Sequence, residues 1–374
     1  MNLKKYFIIL SFILASAGCI TQFIPETEET QSLLVVEGLI TDQPGVSTVK
    51  LTRSQPIGSY AKPEPVTGCK VRIEDDDNNI YILHESEPGT YLTDPAIFQG
   101  IIGRKYTLDI EARNASGKLS SYRSLPMEMK PVPPIDSVYY EKQIINSNDD
   151  YGAPYEGCQV YLNTIDPEGL CKYYRWDFNE TWEFRLPYDV DNQTCWATDH
   201  SGAINIKSTS ALTEDKIYRH PINFITNETD RLNIKYSMLI NQYSISENEF
   251  GYWKRLQNIS DDVGGLYDMI PASITGNVYC TDDPNETVLG YFSVSAKSSK
   301  RIMIHEGFAG LRHDFYEYCG TDTVPPGTQI PGLGTSLWII IDYDAYRVLT
   351  RYRECADCSY RGSLMRPDYW DEDK

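Results

Sequence analysis

Short alternating runs separated by turn residues begin at Leu33, and this pattern limits the fold more than any other feature of the 374-residue chain. Leu33-Leu34-Val35-Val36-Glu37-Gly38-Leu39-Ile40 is followed by the turn Thr41-Asp42-Gln43-Pro44-Gly45. Ser47-Thr48-Val49-Lys50-Leu51-Thr52-Arg53 then pairs back. Side chains on a strand alternate between two faces, so each run offers one apolar face to a core. Residues 70–74 and 81–84 flank Asp75-Asp76-Asp77-Asn78-Asn79, which reads as a hairpin tip. The EF-hand spacing of acids and glycine is absent there, so the acids are read as a turn, not as a calcium site. Residues 89–92, 105–112 and 118–124 continue the pattern, with a turn at Asn114-Ala115-Ser116-Gly117. Regular short strands of this kind predict a β-sandwich over 32–130.

Lys130-Pro131-Val132-Pro133-Pro134 extends neither a sheet nor a helix and is read as a domain boundary. Strands resume at 135–140, 158–164 and 173–184, with an Asp166-Pro167-Glu168-Gly169 turn between the last two. In this arrangement Trp176 is expected in the core and Arg175 facing out. Ser246-Glu247-Asn248-Glu249 is a capping box, and Phe250, Trp253 and Leu256 recur at helical spacing. A helix over 247–258 lying across a sheet follows. Residues 276–280, 288–296 and 300–304 return to strands. Residues 320–335 read as a long loop, and 352–374 carry few periodic signals. The expected fold is all-β: an immunoglobulin/transthyretin-like sandwich over 32–130 and a fibronectin-III-like one over 135–374, with a short helical insertion.

The N-terminus carries an address. Lys4 and Lys5 precede the apolar run 6–15, which is far shorter than the about 20 residues a membrane-spanning helix needs. Ser16-Ala17-Gly18-Cys19 then resembles a lipobox, with Ser16 where leucine is usual. Residues 1–18 are read as a lipoprotein signal peptide, Cys19 as the acylated first residue, and 19–31 as a tether. The plainer alternative is ordinary cleavage at Ala17 or Gly18, with Cys19 a spare thiol.

A formal net charge of −19 sets the surface, and it grows more negative once Lys4 and Lys5 are removed. Such a surface repels nucleic-acid phosphates, so nucleic-acid binding is excluded. Eight cysteines follow Cys19, and in an exported protein an even number points to disulfides. The candidates are Cys158, Cys171, Cys195, Cys280, Cys319, Cys355 and Cys358, with Cys69 left over. A Cys158–Cys171 bridge across one hairpin is the simplest pairing. Cys355 and Cys358 form a C-x-x-C without a second such motif or a nearby histidine, which favours bridges to Cys280 or Cys319 over a metal. His305 and His313 are read as surface residues. Trp182, Trp196, Tyr188 and Trp253 are candidates for a sugar or peptide groove, against the plainer reading of strand-packing aromatics. No nucleophile elbow, zincin, P-loop or dinucleotide motif occurs, so neither an enzyme nor a cofactor or metal is expected.

The order and spacing of several segments carry a resemblance. They are Leu34-Val35-Val36-Glu37-Gly38-Leu39-Ile40-Thr41-Asp42, Tyr173-Tyr174-Arg175-Trp176, Thr181-Trp182-Glu183-Phe184 and Tyr236-Ser237-Met238-Leu239-Ile240-Asn241-Gln242-Tyr243. Asn285-Glu286-Thr287-Val288-Leu289-Gly290-Tyr291-Phe292 and Asp357-Cys358-Ser359-Tyr360-Arg361-Gly362 complete the set. Together they resemble the Bacteroidota lipoprotein family called domain of unknown function 4249. The resemblance implies a lipid-anchored outer-membrane protein, exposed at the cell surface. It also implies an accessory or binding role beside a TonB-dependent transporter-type β-barrel. A stand-alone carbohydrate- or peptide-binding module is the alternative. No catalytic residue is implied.

Overall fold

The computed structural model describes residues 32–54, 62–145, 155–226, 229–262, 274–305, 316, 318–342 and 346–371. Residues 1–18, Cys19 and the 19–31 tether lie outside the described residues, as does His313.

The first segment supplies β1 (Leu34–Ile40), β2 (Thr48–Arg53), β3 (Glu64–Pro65), β4 (Lys70–Asp75), β5 (Ile80–Glu87), β6 (Thr90–Leu92), β7 (Lys105–Arg113), β8 (Leu119–Ser124) and β9 (Met127–Glu128). Their alternation decides which face is buried. Leu34, Val36 and Ile40 of β1, Val49 and Leu51 of β2, Val71 and Ile73 of β4, and Tyr106, Leu108, Ile110 and Ala112 of β7 all point into one core.

The second segment supplies β10 (Ile135–Ile145), β11 (Tyr155–Ile165), β12 (Tyr173–Arg185), β13 (Thr194–His200), β14 (Asn205–Ser208), β15 (Lys216–Thr226) and β16 (Lys235–Ser244). Helix α1 (Glu247–Asp262) follows, four residues longer at its C-terminal end than its apolar spacing predicts. Then come β17 (Val278–Cys280), β18 (Val288–Val294), β19 (Lys297–Ile304), β20 (Thr321–Val324), β21 (Trp338–Asp342) and β22 (Arg347–Thr350). The 320–335 segment read as a loop therefore contains a strand, β20, which pairs with β22.

The strands of the first segment do not close a sheet alone. The path runs β17-β8-β7-β4-β5-β6-β2-β1-β18, so strands from far along the chain stand at both ends. β18 pairs parallel to β1 with Gly38 opposite Phe292, and β17 pairs antiparallel to β8. A bridge between Thr275 and Leu289 brings the two ends together, giving a nearly closed barrel. The closure is tight. A Cβ on Gly276 would sit 1.6 Å from Gly290 O, and Gly290 itself has φ +87°. Segment 32–130 is thus not a self-contained sandwich, and 135–374 is not one contiguous domain. Tyr252, Val278 and Cys280, and Val288, Tyr291, Phe292, Val294 and Ala296 join the first core.

The second body is a sandwich. The three-stranded sheet β10-β11-β15 packs on the sheet β13-β12-β16-β19, to which β14 adds beside β12. The linker between the bodies is clamped by Gln242, which is fully buried and fully bonded. Its Nε2 donates to Pro133 O (2.8 Å) and Thr164 Oγ1 (3.1 Å), while its Oε1 accepts from Trp176 Nε1 at 2.9 Å. Among the described residues no helix is long and apolar enough to cross a membrane.

Candidate functional site

Among the described residues a groove of about 320 Å³ opens at one side of the sandwich. Its floor comes from β12, where Trp176, Phe178 and Glu180 alternate on one face. One wall is the end of β13 with the following loop: Asp199, His200, Ser201, Gly202 and Ala203. The other wall is five consecutive residues of β15, Ile222 to Thr226, with Thr229 and Arg231 closing one end.

Arg231 organises the charge. Its Nε donates to Glu180 Oε1 at 2.8 Å and its Nη2 to Asp199 Oδ2 at 3.2 Å, while the guanidinium lies 4.3 Å over the Trp182 ring. The Tyr236 hydroxyl donates to Glu180 Oε2 at 2.5 Å, and burial with the Glu180 charge pushes that phenol well up. Beneath this lies a second shell of bonds. Trp182 Nε1 donates to Asp230 Oδ1 (3.0 Å), and Arg361 Nη2 and the Tyr316 hydroxyl donate to Asp230 Oδ2 (2.7 and 3.1 Å). Charge-assisted bonds of this kind hold geometry firmly in a low-dielectric setting. The His220 ring lies 4.5 Å from that of Trp176, tilted by 39°, and its ring nitrogen meets Asn205 Oδ1 at 2.7 Å. Burial, helped by Lys207, lowers His220 to about 4, so it is neutral at physiological pH.

The residues nominated from sequence fall elsewhere. Trp182 lies under Arg231, the Tyr188 hydroxyl donates to Cys319 O at 2.9 Å, and neither they nor Trp196 and Trp253 line the groove. Trp176 is in the core, 1% exposed, as its strand position predicts. Arg175 does not face out. Its guanidinium sits 4.9 Å from the rings of both Tyr243 and Trp253, beneath α1. The sequence signal that could have found the groove, and was not read, is Pro221, because a proline inside a strand marks an unpaired edge.

The acid cluster between β4 and β5 is a turn. Asp75 Oδ1 accepts from the backbone N–H groups of Asp77 (3.0 Å) and Asn79 (2.9 Å), and Arg104 pairs with Asp75, Asp76 and Asp77. Among the described residues no group of three or more His, Cys, Asp and Glu is placed to hold a metal ion.

Among the described residues two disulfides are formed, Cys195–Cys358 and Cys319–Cys355. Cys171 and Cys280 are buried and form none, so neither the Cys158–Cys171 bridge nor any bridge to Cys280 is made. Cys171 instead packs by Tyr173 O, and burial raises its thiol to about 12. Cys69 also forms no disulfide. Cys195–Cys358 staples the aperiodic tail to β13, Cys319–Cys355 ties it to the segment before β20, and Trp370, 1% exposed, donates from Nε1 to Glu183 Oε2 at 2.9 Å.

No curated protein matches the chain. Among solved structures it is similar to one described as "Biofilm associated protein - BSP domain", at 7% identity, over 80% of this chain and 64% of that one. The chain therefore spans less than two thirds of that protein, and the TM-score of 0.16 is too low to carry an argument. The family comparison is decisive, because one family model matches residues 20–301, most of the chain. The chain belongs to the family described as Domain of unknown function (DUF4249).

Proposed function

We propose that this protein is a binding module for carbohydrate or peptide, and that its ligand site is the groove between β13 and β15. One observation carries the reading: an aromatic-floored concavity in which Glu180, Asp199 and Arg231 are held in place by one another and by Tyr236. Ligand sites combine an apolar floor with a few fixed polar groups. The carboxylates here are engaged with an arginine and a phenol, which favours recognition over catalysis. A glycan and peptide array probed with the chain and with Gly202→Trp tests this. Gly202 lines the groove, and a Cβ there meets open space, so the indole fills the groove without disturbing the core. The reading expects array hits that the variant loses; hits of equal strength for both proteins contradict it.

The family is commonly outer-membrane associated, which supports a role at that membrane. We propose that Cys19 carries the lipid anchor and that the sandwich works at the cell surface, with an accessory role beside a transporter barrel as the second reading. Fractionation of a Cys19→Ala variant tests the anchor: the variant is expected in the soluble fraction, and retention in the outer membrane contradicts the proposal.

A further inference from the structure

We infer that the groove takes an extended, basic peptide segment by strand addition to β15. This rests on the groove being the ligand site and names the ligand class.

β15 is the terminal strand of its sheet and pairs only with β11 among the described residues. Edge strands present a row of unpaired N–H and C=O groups and are normally blunted by bulges, prolines or charges. Here the blunting covers one half. The register with β11 shifts between Asn223 and Pro221, and Pro221 O is occupied by Asn205 Nδ2 at 3.2 Å. Beyond it, Ile222-Asn223-Phe224-Ile225-Thr226 contains no proline and no charge, has β-forming side chains at every position but Asn223, and lies along the groove.

The direction of the free backbone groups follows from the neighbouring bonds. Gln159 Nε2 reaches Val160 O at 3.1 Å and Asn223 O at 3.0 Å, so Asn223 turns its carbonyl toward β11. Alternation in an antiparallel pair then turns Phe224 and Thr226 outward. An added strand alongside residues 222–226 would span about 17 Å, close to the usual strand length. Main-chain bonds of this kind give affinity, while side-chain pockets give selectivity. The selectivity is for positive charge: Glu180 and Asp199 outnumber Arg231 at the groove, and the whole chain carries −19.

A displayed library of random heptapeptides, selected against the full chain in mild detergent, supplies the probe. Selected peptides are expected to be rich in Lys and Arg. N-methylation of alternate backbone nitrogens is expected to weaken them at least tenfold, and methylation of the intervening ones to leave them unchanged. Thr226→Pro, which removes an outward N–H at an edge position where proline is tolerated, is expected to weaken binding at least tenfold, while Thr226→Ala is not. If Gly202→Trp abolishes binding but N-methylation and Thr226→Pro leave it intact, the groove stands as the site and strand addition is overturned. If glycans bind in the groove and no peptide is selected, the peptide assignment is overturned. If peptides bind equally well to Gly202→Trp, both the assignment and the groove reading fail.

Discussion

Asn277 binds Phe292 as one strand binds another. Its Oδ1 accepts from Phe292 N at 2.9 Å and its Nδ2 donates to Phe292 O at 2.8 Å, with Asn277 only 5% exposed. A side-chain amide thus supplies, just before β17, the two bonds a neighbouring backbone would supply to β18. It completes the seam where the barrel's two ends meet. Asn277→Ala leaves a buried N–H and C=O without partners, at about 1–3 kcal/mol. Urea denaturation is expected to report a loss in that range; an unchanged midpoint would show that the seam does not depend on the amide.

Glu249 gives the fold a pH dependence of known sign. Its backbone N–H donates at 3.2 Å to Ser246 Oγ, which caps α1, and its side chain is fully buried. Its Oε1 accepts from Ser293 Oγ (2.6 Å) and Trp253 Nε1 (3.2 Å), whereas Oε2 has no partner. Burial raises the carboxyl above its ordinary 4.5, opposed by the Arg175 charge and the Ser293 and Trp253 bonds. The folded chain then keeps a proton that the unfolded chain has lost. Stability is complete below about 4.5 and declines as pH rises through the folded-state value. Glu249→Gln cannot ionise, so it is expected to match wild type near pH 4 and exceed it at pH 8. Parallel melting curves across that range would contradict the assignment.

The Cys195–Cys358 disulfide joins residues 163 positions apart and ties the tail to β13. Cys358→Ser is expected to cost about 2–5 kcal/mol and to open the tail. Limited trypsin digestion checks it, with new cuts after Arg361 and Arg366 in the variant; a digestion pattern like that of wild type would mean that Trp370 and its bond to Glu183 hold the tail unaided.

Strand identity was legible because it is local. The alternation of Val49 and Leu51, or of Tyr106, Leu108 and Ile110, is set by each strand's own exposure and survives any choice of partner. The Ser246 cap was legible for the same reason, since it closes within one turn, but the reciprocal half of a capping box is not made, because the Glu249 carboxyl turns to Ser293 and Trp253. Partnership was not legible. Nothing in residues 34–40 names 288–294 as the strand beside them, so the domain boundary drawn at the prolines missed the barrel's closure. The helix was legible from its spacing, but Phe250, Trp253 and Leu256 are only partly buried, the side chains it buries are Glu249 and Tyr252, and Arg175 lies under it because Trp253 and Tyr243 offer their ring faces to the guanidinium. The groove depends on which strand ends a sheet. Pro221, which the sequence reading passed over, marks such an edge, but a single proline does not say which surface opposes it.

The central claim is that ligand is bound along β15. Hydrogen–deuterium exchange of the chain, alone and with an array-selected ligand at saturation, tests it most directly. The account predicts slowed exchange in the segment spanning Ile222 to Thr226 and in the facing loop at Ser201 to Ala203, with the barrel strands unchanged. Protection confined to any other surface, with β15 exchanging as in the free protein, would contradict it.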